Sequence, residues 1–287
     1  MSAATASQAK VLKALQNGAA AVQVMLERER TSGLERSVRQ LRQFQDRGLA
    51  HAELATAAHA GGVPAEWIAQ AHERGTRGIR WRAGMFLRTA APVDREQLLT
   101  ALDTDVARLA SWTVLHAARG GSGGEVGTTT TVARNLRALW TRTCVVAALL
   151  DVTAGESQTR WAKSVEAAAD AITRQGLFGE QITEQWRAIV HVDMTRYRIQ
   201  ATALGEAGID TDPSIGPPRP DTAIAAMRAE GVGPIDHISH HDVPTSGAQI
   251  AEAVEVAMRQ TGDLDQDPLM QPPTFSDPPI RYPGAEL

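Results

Sequence analysis

Residues 61–82 read GGVPAEWIAQAHERGTRGIRWR. Gly62-Val63-Pro64 marks a turn, since glycine tolerates left-handed backbone and proline suits the first position of a helix. From Pro64 to Arg74 the apolar residues Trp67, Ile68 and Ala71 share one side, the spacing of a short helix. Arg74, Arg77, Arg80 and Arg82 then fall within nine residues. Upstream, His51 to Ala60 has the length and pattern of a partner helix. The stretch therefore predicts a helix pair that ends in a cationic segment.

The same periodicity extends in both directions. Composition favours helix: alanine is abundant, aromatic residues are only 4% of the chain, and Ala, Leu, Arg, Gln and Glu fill the periodic segments. Val11, Leu12, Leu15, Ala19, Val22, Val24 and Met25 place a helix over about 4–30. Val38, Leu41 and Phe44 place another over 34–47. The run IRWRAGMFLRTAAPV loses the helical period and reads as an irregular loop or a small hairpin. Asp94 and Glu96 then open a long helix with the acids that its dipole favours, along the stripe Leu98, Leu99, Leu102, Val106, Leu109 and Thr113. RGGSGGEVG ends it, and Thr128 to Thr131 are candidate caps for a helix reaching Leu150. Further helices are expected over 156–174 and 183–206. The last of these aligns Trp186, Val190, Met194, Tyr197, Ala201 and Leu204.

The expected fold class is all-α. A basic region over 1–93, with a helix-turn-helix-like pair at 51–74, leads into an antiparallel helical bundle over 94–206. Residues 207–260 read as a linker with short helices at 222–230 and 246–260. Residues 261–287 form an acidic, proline-rich tail with too little apolar surface to fold alone. Charge follows the same division. The net charge is −4, but residues 1–95 carry 14 basic and 8 acidic side chains, and residues 206–287 carry 4 and 14. Twelve of the 14 prolines lie in that last stretch. Only Lys10, Lys13 and Lys163 are lysines, a bias that a GC-rich coding background produces.

The stretch around residues 51–74 resembles the helix-turn-helix class. Ala58 and Gly62 have the spacing of the small contact residue and the turn glycine, Leu54 anchors the first helix, and Val63 and Ile68 lock the second. Pro64 departs from the usual Ser or Thr and removes a capping hydroxyl. The resemblance implies duplex DNA as partner. In that reading Ala65, Glu66, Ala69, Gln70 and Glu73 face outward; Gln70 would read adenine and Glu66 would accept from cytosine. Arg74, Arg77, Arg80 and Arg82 would hold phosphates without reading sequence. The Ala/Arg-rich texture over the first 120 residues is also similar to proteins of actinobacterial plasmids and phages, which implies a mobile genetic element and no known activity.

Other motifs carry less. GGSGGEVGTTTTVARNLRALW resembles the phosphate loop of ParA-like ATPases at Gly123, Gly124, Gly127, Thr129, Thr130, Asn135 and Leu136. Thr128 stands where the phosphate-binding lysine belongs, Glu125 adds the wrong charge, and the preceding segment reads as helix rather than strand. His237, His240 and His241 lie between Asp236 and Asp242, but Gly233, Pro234 and Pro244 leave no room for a helix that would converge them, so no metal site is expected. His191 and Asp193, two positions apart, do not share a helix face. Cys144 stands alone in an apolar run and reads as a buried small hydrophobe, with no intramolecular disulfide possible.

No cofactor fingerprint or catalytic motif occurs, which favours a non-enzymatic protein. Apolar runs short of a membrane span and no secretory leader give a cytoplasmic expectation. The expected function is that of a DNA-associated accessory or regulatory protein, its acidic tail meeting a protein partner and its bundle supporting self-association. The alternative is a helical scaffold that binds proteins and no nucleic acid.

Overall fold

The computed structural model describes residues 4–32, 37–119, 126–177 and 179–229, all within one compact unit spanning residues 1–236. Every regular element among them is helical: α1 (Ala6–Ser32), α2 (Val38–Ala60), α3 (Ala65–Thr76), α4 (Arg95–Arg119), α5 (Val126–Leu149), α6 (Ala154–Trp161), α7 (Ser164–Arg174), α8 (Glu180–Val190), α9 (Thr195–Glu206) and α10 (Pro220–Ala229). The expected helix over 246–260, the 261–287 tail and the histidines 237, 240 and 241 lie outside the described residues.

Local signals set most boundaries. Ser37 caps α2 through a capping box with Gln40, and Thr153 does the same for α6 with Glu156. Asp94 Oδ1 accepts from the backbone N–H of Gln97 and starts α4. Where spacing gave two segments, 34–47 and 51–60, α2 runs unbroken through Gly48, because one exposed glycine costs a helix only about 1 kcal/mol. The opposite happens at the helices expected over 156–174 and 183–206. Each is divided, at Ala162–Lys163 and at His191–Met194, with no proline or glycine at either break. At the second break Asp193 Oδ1 accepts from the Thr195 N–H and seeds α9 instead. The threonines expected as caps lie inside α5, where Thr131 Oγ1 bonds back to the Gly127 carbonyl. Asn135 and Leu136 are buried on the same helix, and α4 precedes it, so no strand-loop-helix phosphate cradle forms from those residues.

Helix α5 is the axis of the fold. Cys144, Val145, Val146 and Ala147 are all buried, so α5 is covered on every side along its C-terminal part. One of its flanks packs with α4, α7, α8 and α10 around Leu109, Leu136, Leu139, Ile172, Trp186 and Ile189. A second meets α1, α2, α3 and α9 around Leu12, Leu15, Leu54, Trp67, Val145 and Leu204. A third packs on α4 and α6 through Leu102, Val106, Leu150 and Trp161. The basic head thus shares its core with α5 and α9.

The stretch 207–219, which reads as a linker, is a packed strap. Ser157 Oγ donates to the Gly216 carbonyl at 2.9 Å and Trp140 Nε1 to that of Pro217 at 3.1 Å. Gly216 and Pro217 are buried, and Gly216 rests against the Cys144 sulfur.

Candidate nucleic-acid interface

The turn between α2 and α3 lies at residues 61–64. Val63 N–H donates to the Ala58 carbonyl, Gly62 adopts φ +76°, and Ala58, Val63 and Trp67 are buried. The packing of α3 is different from a helix pair locked mainly on itself. Its principal neighbour is α1, and the crossing is close at Gly75, where an added Cβ would stand 2.5 Å from Ala19 Cβ and from the Gln16 carbonyl oxygen.

The other side of α3 is covered by its own continuation. Residues 77–94 form an irregular loop without strand, and its later half folds back along the helix. Trp67 Nε1 donates to the Arg88 carbonyl at 2.8 Å, and Arg74 Nη2 donates to that of Phe86 at 2.9 Å. The Ala91 N–H approaches Glu66 Oε1 at 3.4 Å. Glu73 pairs with both Arg77 and Arg88, at 2.7 and 2.6 Å.

This return corrects the reading of Gln70. Sequence spacing puts it on the outward face; the structure leaves it 4% exposed, with Oε1 accepting from the Arg88 N–H at 3.0 Å. A side chain so engaged presents nothing to a base edge. Arg74 is half-buried and committed to the loop. Arg77, Arg80 and Arg82 are exposed, and Arg80 and Arg82 form no ion pair among the described residues. Ile79, 44% exposed, and Phe86, 61% exposed, stand in the same loop. A helix strapped in this way is a poor reading head. The loop is a cationic surface with apolar side chains between its charges.

Between α2, α4, α5 and α9 runs a chain of polar groups, most of them buried, that sequence periodicity does not reveal. Arg196 Nε donates to Glu53 Oε1 at 2.7 Å, and Gln200 Nε2 donates to Glu53 Oε2 at 2.6 Å. Arg142 donates to both Gln200 and Asp105. Tyr197 Oη donates to Asp105 at 3.1 Å, and Arg142 lies over the Tyr197 ring at 4.9 Å. The chain ties α2, α4, α5 and α9 together, and each carboxylate in it has a guanidinium partner. The only sequence signal is a polar residue at an otherwise apolar helical position, as at Glu53 between Ala52 and Leu54.

Cys144, His51 and Asp193 each sit in a structural role. Burial pushes the Cys144 thiol up to about 12, with Asp212 adding to the shift, so it is neither a nucleophile nor a ready metal ligand. Burial also lowers His51, whose Nε2 lies 3.0 Å from the Leu15 carbonyl. Asp193 is held below the usual carboxylate range by the Thr195 hydroxyl and N–H, which is a helix-start role. No group of three potential metal ligands occurs among the described residues, and none of their helices is long and apolar enough to cross a membrane. No family model, curated protein or solved structure matches this chain.

Proposed function

We propose that this protein is a non-enzymatic DNA-associated accessory or regulatory factor that holds duplex DNA by its phosphates. The observation that carries this reading is the exposure of Arg77, Arg80 and Arg82 on one short loop, with Arg80 and Arg82 unpaired among the described residues. The +6 balance of residues 1–95 supports it, and the likeness to plasmid and phage proteins supports a mobile-element setting. Because α3 is strapped and Gln70 is engaged, binding is expected to be salt-sensitive and nearly blind to sequence.

The full chain is the proper test object, because the head shares its core with α5 and α9. Titrating labelled duplexes at two salt concentrations should show affinity that falls steeply with salt and is equal for unrelated sequences. Changing Arg77, Arg80 and Arg82 together to Ala should reduce the logarithmic salt slope by about one per arginine. Absence of binding at low salt defeats the reading.

The scaffold reading stands second, favoured by the exposed apolar residues Val38, Leu41 and Leu49 of α2. A chain that ignores DNA but self-associates, and loses that association in Leu41→Glu, would move the assignment there.

A further inference from the structure

A cavity of about 460 Å³ opens between α4, α5, α10 and the strap, away from the arginine loop and unused by the DNA reading. Its size is that of a site for a small organic molecule. Leu136, Trp140 and Ile224 give it apolar walls, and His116, Arg137 and Arg219 also line it.

His116 sets its chemistry. The side chain is 8% exposed, and Trp186 Nε1 donates to its Nδ1 at 3.4 Å. Nδ1 is therefore the unprotonated nitrogen, and in the neutral ring Nε2 carries the hydrogen. Burial, and then the nearby charge of Arg228, hold the ring below its ordinary pKa of 6.5, which keeps it in that neutral form. No hydrogen bond from Nε2 to protein occurs among the described residues, and His116 lines the cavity, so this N–H is open to a ligand.

The two arginines of the wall differ. Arg219 is neutralised: its Nε and Nη2 reach the two carboxylate oxygens of Asp221 at 3.2 and 3.0 Å, and it stacks over Trp140 at 5.2 Å. Arg137 is exposed and has no acidic partner among the described residues. The cavity thus combines an open neutral N–H, an unpaired cation and apolar walls. A carboxylate satisfies the first two through charge-assisted hydrogen bonds, while an apolar body fills the remainder.

We propose that this cavity is a binding site for a small apolar carboxylic acid, its carboxylate held by His116 Nε2–H and Arg137 and its body lying against Leu136 and Ile224. The probe is 2-naphthoate, titrated calorimetrically into the full chain beside its neutral counterpart 2-naphthalenemethanol and beside inorganic phosphate. The naphthoate is expected to bind at least about tenfold more tightly than either, the ratio that one charge-assisted contact supplies. Arg137→Gln, at an exposed position, should remove that advantage while leaving the alcohol's weak binding unchanged. Ile224→Trp, which fills the cavity without touching a charge, should abolish binding of both aromatic compounds. Circular dichroism confirms that each variant is folded. The proposal is overturned by no naphthoate binding at about 1 mM, by phosphate binding as tightly as naphthoate, or by either variant binding naphthoate like the parent.

Discussion

Arg142 and Arg82 carry the same guanidinium in opposite surroundings. Arg142 is 8% exposed and bridges Asp105 and Gln200 inside the protein, while Arg82 stands on the loop after α3 with no ion pair among the described residues. The first closes a circuit of buried charge; the second leaves its charge to solvent or to a partner. Arginine content therefore says little about nucleic acid until each guanidinium is placed. In this chain the placement divides the arginines into those that hold helices together and those available to hold something else.

The sharpest way to break this comparison is to remove the buried member. Arg142→Leu leaves Asp105 buried with only Tyr197 and Arg108 to compensate it, and should cost about 3–5 kcal/mol by urea denaturation. The double change Arg142→Leu with Asp105→Leu should recover a large part of that loss. A single variant that loses less than about 1 kcal/mol would mean that the buried circuit is dispensable.

Next in size is the seat of the arginine-bearing helix. Gly75→Ala must push α3 away from Ala19 and the Gln16 carbonyl, which should cost about 1–3 kcal/mol. Gly48, inside α2 with nothing within 4 Å of an added Cβ, supplies the contrast. Gly48→Ala should raise stability by about 0.5–1 kcal/mol.

A rim pair offers a smaller, pH-dependent effect. Arg95 donates to both oxygens of Glu156, and with the Thr153 N–H it lowers this carboxyl from 4.5 to about 2. A depressed carboxyl stabilises the fold fully above its unfolded value. The contribution is lost as pH falls from about 4.5 towards 2. Glu156→Gln should lower thermal stability at neutral pH, flatten the acid limb of the profile in that window, and converge on the parent at its most acidic end. Smallest of all, Arg80→Ala with Arg82→Ala should move stability by no more than about 0.5 kcal/mol. The same variant should still weaken DNA binding; a large stability loss would place these arginines with Arg142.

Much of the helical layout was legible because its signals are local. Asp94 and the Gly62 turn act within a few residues of themselves, so pattern reading finds α4, the α2–α3 turn and the start of α3. The divisions at Ala162 and His191 were not legible, since neither carries a breaking residue and each depends on what the following helix packs against. The strap 207–219 was misread for the same reason. Its proline content signals a linker, but the contacts that hold it come from Ser157, Trp140 and Cys144, far away in sequence.

The candidate site divides in the same way. Sequence spacing located the arginine run and the turn before it, and it ended the helix at Arg74, where α3 runs on to Thr76. It set Gln70 outward because helical geometry alone gives that face no covering. Only the return of the loop, which brings the Arg88 N–H to Gln70 and Arg88 to Glu73, buries that side chain and removes it from any base. The sequence by itself determined the helical character of the described residues and a basic head, because helix period and charge are properties of near neighbours. The tertiary structure alone decided which arginines are partnered and which are free, because a guanidinium's partners are fixed by what the fold carries to it.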